Sequence, residues 1–251
     1  MANKTIIKNN ITYLINDEDK TASVILSLPN NRDIIIPRTI TVNEKEYAIT
    51  KISNGAFKFS GVKSIKCPFF SEIQTIEKEA FFESKIESFT ITDHLMHIGE
   101  SAFENCSQLR KIEISNYSEL QSIGKLAFHQ SRIESFTITP HLTYIGESAF
   151  CNCIQLSKVE ILKDSQLKTI GENAFQKTQI ESFTIPPHLV KISKNTFNNC
   201  KNLRTIKFPI NSELKTIEKD AFYESQIESF TFPASLIELN KKWCRGTPKL
   251  T

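Results

Sequence analysis

Apolar and polar residues follow two patterns along this chain, and the two patterns alternate. In the first, an isoleucine and a phenylalanine stand five positions apart, with glycine, alanine and polar residues between them, as in Ile-Gly-Glu-Ser-Ala-Phe at 98–103. In the second, apolar residues occupy every other position, as in Ile112-Glu113-Ile114. The second pattern predicts a short strand with one buried face. The first predicts a helical or 3-10 segment that is too short to be stable alone.

Both patterns return at a fixed spacing, and this repeat determines the predicted fold. The segment at 98–103 recurs 47 residues later at 145–150 and again at 192–197. A second set of copies begins at Ile76, Ile123, Ile170 and Ile217, so the unit alternates between 22 and 25 residues. A unit this short cannot bury a core by itself and has to stack on its neighbours. The sequence therefore predicts a repeat solenoid of about eight coils.

One phenylalanine occupies the same position in every coil. The residues are Phe57, Phe81, Phe103, Phe128, Phe150, Phe175, Phe197 and Phe222. Stacked coils bring such residues into one internal column, because equivalent positions of a solenoid lie above one another. We interpret the column as core packing rather than as a slot for a ligand.

The two ends of the chain depart from the repeat. Residues 11–15 and 22–26 predict two strands around a polar turn, and 34–37 and 46–49 predict two more short strands. A cap is expected here, because the first coil would otherwise expose its apolar face. The predicted domains are an N-terminal β-rich cap at 1–48, a solenoid at 49–238, and a divergent or truncated final repeat or C-terminal cap at 239–251.

The repeat motif stands most fully at 145–161, where the sequence is Ile-Gly-Glu-Ser-Ala-Phe-Cys-Asn-Cys-Ile-Gln-Leu-Ser-Lys-Val-Glu-Ile. Prolines follow several strands, at Pro68, Pro186, Pro209 and Pro233. Over about residues 11–250 this pattern resembles the BspA-like branch of the leucine-rich repeat superfamily. The shorter coils depart from the family pattern by replacing the cysteine of the turn with Ser84, Ser131, Thr178 and Ser225.

This resemblance implies a fold and a setting. The fold is a leucine-rich repeat solenoid of strands with short helical or 3-10 segments, a parallel β-sheet on one face and an N-terminal β cap. The setting is the surface of mucosal bacteria and protist parasites, where such proteins adhere to host cells or matrix. We take both as expectations.

The composition of the chain argues against several classes of function. The 31 basic and 28 acidic residues are interspersed without a basic stripe, so nucleic acid is not expected as a partner. No apolar stretch approaches the roughly 18–20 residues of a membrane span, so direct membrane insertion is not expected. The first residues contain no apolar h-region, so no signal peptide is predicted. The chain is then intracellular, exported by another route, or a piece of a longer protein.

Cysteines and histidines also follow the repeat. Cys106, Cys153 and Cys200 share one turn position and lie two coils apart. At a strand spacing of about 4.8 Å that is roughly 10 Å, beyond the ~7 Å that a disulfide spans. We therefore expect buried thiols rather than bridges. The histidines His94, His141 and His188 are equally spaced, too far apart to share a metal ion. No nucleophile–base pair and no phosphate-binding glycine loop is present, so the sequence predicts no enzyme, no metal and no cofactor.

The outward positions of the predicted strands form the candidate binding face. They are Ser88, Thr90, Lys111, Glu113, Ser135, Thr137, Lys158, Glu160, Ser182, Thr184, Thr205, Lys207, Ser229 and Thr231. Pairs of Ser and Thr from the short coils thus alternate with pairs of charged residues from the long coils. The face lacks the Tyr, Trp and Arg anchors of a tight protein interface, so we expect weak, multivalent binding. The alternative is a solvated face without a ligand.

These observations favour a non-enzymatic recognition module. The resemblance implies a cell-surface, adhesin-like protein that binds a protein or glycan of a host cell or matrix. The alternative is an intracellular protein–protein interaction scaffold, which the missing signal peptide and the unpaired cysteines favour.

Overall fold

The computed structural model describes residues 4–27, 32–68 and 70–247. All regular secondary structure in that part of the chain is β-strand. In chain order they are β1 (Lys4–Lys8), β2 (Ile11–Asn16), β3 (Thr21–Ser27), β4 (Asp33–Ile35), β5 (Thr39–Val42), β6 (Lys45–Ile52), β7 (Ser64–Lys66), β8 (Thr75–Ile76), β9 (Ser88–Ile91), β10 (His97–Ile98), β11 (Lys111–Ile114), β12 (Ser122–Ile123), β13 (Ser135–Ile138), β14 (Tyr144–Ile145), β15 (Lys158–Ile161), β16 (Thr169–Ile170), β17 (Ser182–Thr184), β18 (Lys191–Ile192), β19 (Thr205–Lys207), β20 (Thr216–Ile217) and β21 (Glu238–Leu239). They wind into a solenoid of about nine coils, which confirms the predicted class.

The N-terminal strands form a sheet that continues into the solenoid. β1, β2 and β3 are antiparallel neighbours, β5 and β6 form an antiparallel pair, and β3 lies parallel to β6. The strands predicted at 11–15 and 22–26 are present as β2 and β3, whereas β1 was not predicted. The predicted domain boundary at 48/49 lies inside β6, which pairs onward with β8. The cap and the first coil therefore share one strand.

Each coil contributes to two parallel ladders, of which the sequence predicted one. The predicted ladder contains β4, β7, β9 and β11 and then continues as the separate pairs β13–β15 and β17–β19. The second ladder is built from two-residue strands at the recurring isoleucine position of the coils. It contains β8, β10, β12, β14 and β16 in one sheet and β18, β20 and β21 in another, with Leu239 in place of isoleucine in β21. We call the outward positions of β9, β11, β13, β15, β17 and β19, together with residues 229–231, the strand face.

The segments predicted as short helical turns form consecutive turns instead, with no helical assignment in the described residues. In the third coil the N–H of Ala102 donates to the carbonyl of Gly99 in its own turn (3.3 Å). The neighbouring N–H groups of Ser101 and Phe103 donate to the next coil, to Lys125 (2.8 Å) and Ala127 (2.7 Å). A helix would direct every N–H along its own axis. Here every second N–H joins two coils.

Left-handed backbone conformations make this alternation possible. Two residues in almost every turn have positive φ, for example Ser101 at 53° and Asn105 at 57°. Such residues interrupt a right-handed helix, because helical residues all have negative φ. The sequence contains little signal for these conformations, since between Phe59 and Glu224 the left-handed positions hold residues such as Ser, Glu, Leu, Asn and Gln rather than glycine.

The phenylalanine column is confirmed and forms the centre of the core. Consecutive rings are stacked nearly parallel, with centroids 5.3 Å apart for Phe150 and Phe175 and 4.8 Å apart for Phe81 and Phe103. All eight rings are buried. At the C-terminal end the column closes on Trp243, which packs edge-on against Phe222 with centroids 5.8 Å apart. The predicted final segment at 239–251 is described only as far as residue 247.

Candidate functional site

The candidate binding residues lie together on the strand face. All of them are exposed or half-buried, while the residues between them, such as Phe136, Val159 and Phe183, are buried. This alternation follows from the pleat, because successive side chains of a strand point to opposite sides. The structure therefore brings the predicted residues onto one surface, and whether this surface binds a ligand stays a prediction.

Four of the five charged side chains on the strand face form two ion pairs. Lys111 Nζ lies 2.5 Å from Glu113 Oε1, and Lys158 Nζ lies 3.2 Å from Glu160 Oε2. The Lys111 hydrogen bond lowers the pKa of the Glu113 carboxyl, so this carboxylate stays ionised. A cross-strand pair of Arg with Glu lies beside the face, where Arg110 Nη1 and Glu134 Oε1 are 3.7 Å apart. Exposed pairs like these contribute little stability, typically about 0–1 kcal/mol.

Most hydroxyl groups of the strand face are free. Thr90 donates to Glu113 at 3.2 Å. The hydroxyls that form no hydrogen bond within the described residues include three successive pairs, which we call the hydroxyl rows: Ser135 with Thr137, Ser182 with Thr184, and Ser229 with Thr231. Each hydroxyl can donate one hydrogen bond and accept two. The hydroxyl rows are therefore polar groups of this face that can form hydrogen bonds with a ligand.

The strand face is interrupted by clefts that the sequence did not predict. Strands pair in register within β13–β15 and within β17–β19, but no register joins β15 to β17. A first cleft of about 460 Å³ opens at this junction, and its lining includes Lys158, Val159, Glu160, Ile161, Ser182 and Thr184. A second cleft of about 380 Å³ lies two coils further on, lined by residues that include Thr205, Ile206, Phe208, Ser229, Thr231 and Phe232. Each cleft therefore borders one hydroxyl row.

A larger open cavity lies at the N-terminal end, and the sequence did not predict it. It has a volume of about 650 Å³ and is lined by the acidic turn at 16–19 together with residues that include Thr50, Lys51 and Gln74. The hydroxyl of Tyr47 donates to Asp17 at 2.5 Å, and this bond lowers the pKa of the Asp17 carboxyl. The lining of the cavity is predominantly polar, with acidic side chains at one side.

The cysteines of the long coils are structural. The Cys153 thiol is fully buried and donates to the carbonyl of Phe128 at 3.1 Å, and it also lies 3.4 Å from the Ser131 hydroxyl. Cys106 and Cys200 repeat this arrangement with Ser84 and Thr178. The serine or threonine that replaces cysteine in the short coils thus packs against the cysteine of the next coil.

The equivalent histidines do not converge. His94 lies 3.7 Å from Glu119 and His188 lies 2.9 Å from Glu213, while His141 contacts the carbonyl of Ser118 at 3.2 Å. Within residues 4–27, 32–68 and 70–247 no group of three or more His, Cys, Asp or Glu side chains could hold a metal ion. The same part of the chain has no helix that could cross a membrane.

The buried thiols predict a loss of stability at alkaline pH. Burial raises the pKa of Cys106, Cys153 and Cys200 to about 12, whereas thiols of an unfolded chain titrate near pH ~8.5. The folded state holds these protons more tightly, so this stability is present below about pH 8.5 and lost as the pH rises towards 12. We expect the urea midpoint to fall between pH 8 and pH 10. In a variant with all three cysteines replaced by alanine the midpoint should fall less, and an equal fall in both proteins would contradict the prediction.

Comparison with known families and structures agrees with the geometry. The model of the BspA type leucine rich repeat region (6 copies) matches residues 37–140 and 121–251. A leucine-rich repeat protein from Bacteroides ovatus is 28% identical with a TM-score of 0.78, and the match covers 93% of this chain and 60% of that chain. The present chain thus spans 60% of the length of that relative. A search of curated proteins found no match.

Two more distant structures share the fold. The pneumococcal vaccine antigen PcpA is 21% identical with a TM-score of 0.60, over 99% of this chain and 80% of that one. A leucine-rich repeat protein of T. pallidum is 17% identical with a TM-score of 0.51, over 81% of this chain and 82% of its own. At these identities the likeness concerns the fold alone.

Stacked coils, parallel ladders and a continuous aromatic core define a leucine-rich repeat solenoid. Since the matched residues cover most of its length, the chain belongs to the BspA-type leucine-rich repeat family. Leucine-rich repeat proteins bind proteins, and the family is typically non-enzymatic.

Proposed function

We propose that this protein is a non-enzymatic, adhesin-like module whose strand face binds a protein or glycan of a host cell or matrix. The observation that carries the proposal is the set of hydroxyl rows, because Ser135, Thr137, Ser182 and Thr184 are held in register on a rigid face without partners of their own. A solenoid presents such groups over a long surface, which suits an extended partner.

The same face explains why each contact should be weak. Its outward positions carry no aromatic side chain, and its lysine and glutamate side chains already form pairs such as Lys158 with Glu160. Tight interfaces depend on buried aromatic and arginine anchors. Affinity then has to come from several modest contacts acting together, as in an array on a surface.

A second candidate is an intracellular protein–protein interaction scaffold, and one observation favours it. All six cysteines are unpaired, including Cys67 and Cys244, which are only half-buried. Disulfides form and persist in oxidising compartments outside the cytosol, so unpaired cysteines suit a reducing one. Antibody labelling of intact source cells separates the two. Labelling without permeabilisation supports adhesion, whereas labelling only after permeabilisation supports the scaffold.

Multivalent presentation should raise binding strongly. We expect the monomer to bind a matrix protein or glycan with a dissociation constant weaker than about 1 µM, and a tetramer of the protein to gain roughly 10²–10⁴-fold in avidity. Replacing Ser135, Thr137, Ser182 and Thr184 by alanine should remove the binding. The control replaces Thr169 and Thr216, on the second ladder, and should keep it. Surface plasmon resonance on a panel of matrix proteins and glycans measures both, and nanomolar monovalent affinity at this face would contradict the proposal.

A further inference from the structure

The hydroxyl rows are spaced by two coils, and this spacing is a property that a ligand can match. Parallel strands about 4.8 Å apart place equivalent groups of every second coil roughly 10 Å apart. The core gives a slightly larger step of about 11 Å, since the ring centroids of Phe150 and Phe175 are 5.3 Å apart and those of Phe175 and Phe197 are 5.6 Å apart. A ligand that contacts successive rows therefore has to repeat at roughly 10–11 Å.

The clefts repeat in the same register. The first cleft borders the row of Ser182 and Thr184, and the second borders the row of Ser229 and Thr231. Both have apolar groups among their lining residues, Val159 and Ile161 in the first and Phe208 and Phe232 in the second. Two of the three hydroxyl rows thus lie beside a small recess that has apolar groups among its lining residues.

Most charges between the rows are paired, with Lys207 the exception among the described residues, and this favours an uncharged ligand. Lys158 and Glu160 neutralise one another at 3.2 Å, and Lys111 and Glu113 do so at 2.5 Å. A charged partner would have to compete with these pairs, whereas a neutral chain of hydrogen-bond acceptors would not. Serine and threonine hydroxyls can donate to such acceptors.

Polypeptide conformations differ in whether they meet these conditions. A polyproline II helix repeats every three residues, at about 9.3 Å, and its carbonyl groups are free because it has no internal hydrogen bonds. An extended strand repeats every two residues, at about 6.7 Å. An α-helix uses its carbonyl groups internally and cannot offer them to the face. Of these three conformations, the polyproline II helix comes closest to the two-coil step and also offers free acceptors.

We infer that the strand face binds a proline-rich polyproline II segment that lies across the strands along the solenoid axis, with one turn for every two coils. Its carbonyl groups accept hydrogen bonds from the hydroxyl rows, and one proline ring enters each of the two clefts. This inference rests on the proposed function and gives its partner class, an extended proline-rich protein segment.

Titration of a fluorescent oligoproline of twelve residues tests this inference, with fluorescence anisotropy as the readout. We expect saturable binding, which a Gly/Ser peptide of equal length should not show. The double variant Ser182→Ala with Thr184→Ala should weaken binding about tenfold, because two hydrogen bonds are removed at one step. The control variant Thr169→Ala, on the second ladder, should bind like the parent. Thermal melts of both variants check that they are folded.

The result can overturn the inference without overturning the proposed function. Equal binding of the oligoproline and the Gly/Ser peptide, or no effect of the double variant, would exclude polyproline II recognition. Tighter binding of a linear oligosaccharide than of the oligoproline would also overturn it. If matrix binding is still lost on removing the hydroxyl rows, the strand face is a recognition surface for another ligand. If no ligand depends on the rows, both proposals fail.

Discussion

Replacing Phe150 by alanine will lower the free energy of unfolding by about 3–5 kcal/mol, the range found when a buried aromatic ring is deleted from a core. The ring is fully buried and stacks on Phe128 and Phe175, with both centroid distances 5.3 Å. Its loss leaves a cavity between two coils. Neither neighbour can fill this cavity by side-chain rotation alone, because each is stacked on the next coil of the column.

Urea denaturation followed by circular dichroism measures the effect. The control is Tyr117→Ala, because Tyr117 is 80% exposed and its loss should change stability by less than about 0.5 kcal/mol. A loss below 1 kcal/mol for Phe150→Ala would show that the rings are not the core of the solenoid. Repeat proteins can unfold in more than one step, so the two variants are best compared over the whole transition.

Replacing Gly171 by alanine should destabilise the protein by about 1–3 kcal/mol, although it adds a single methyl group. An added Cβ would clash with the backbone nitrogen of Glu147 and would lie 2.6 Å from the carbonyl carbon of Gly146. These are backbone atoms of the preceding coil, so no side chain can move aside to relieve the contact. The two coils have to separate locally, which weakens the ladder that joins them.

Two residues of the chain provide the comparison for this second substitution. Thr169 is an exposed neighbour of Gly171, and Thr169→Ala should be nearly neutral. Ser193 occupies the equivalent glycine position one coil later, where its hydroxyl donates to the carbonyl of Ile170 at 2.8 Å. A side chain is therefore tolerated where the neighbouring coil leaves room for it. Wild-type stability of Gly171→Ala would mean that the other coils have similar room.

The sequence predicted those features that depend on residue type repeated at fixed spacing. Phenylalanine at every coil and alternation in strands such as β13 were sufficient to place the core and the strand face. The sequence did not predict the second ladder, because two-residue strands such as β14 are too short to show an alternation of apolar and polar residues. The turns were mistaken for helical segments, because residues such as Ser101 and Leu126 adopt positive φ without being glycine.

The clefts of the candidate site could not have been predicted either. Residues such as Ser182 and Lys158 give the outward direction of each side chain, but they do not show which neighbouring strands form hydrogen bonds. Hydrogen bonds pair β13 with β15 and do not pair β15 with β17, although the residue types of these strands are similar. The residue pattern therefore does not show that the face is notched at two junctions two coils apart.

The alternation of 22- and 25-residue coils sets the step by which such a protein can evolve in length. Duplication or deletion of a 47-residue pair leaves the order of long and short loops intact. Loss of one coil would put two coils of the same kind in contact, so that the cysteine of a turn such as that of Cys153 would meet another cysteine in place of Ser131. Recombination in whole pairs therefore offers a route to longer or shorter members with an unchanged surface pattern.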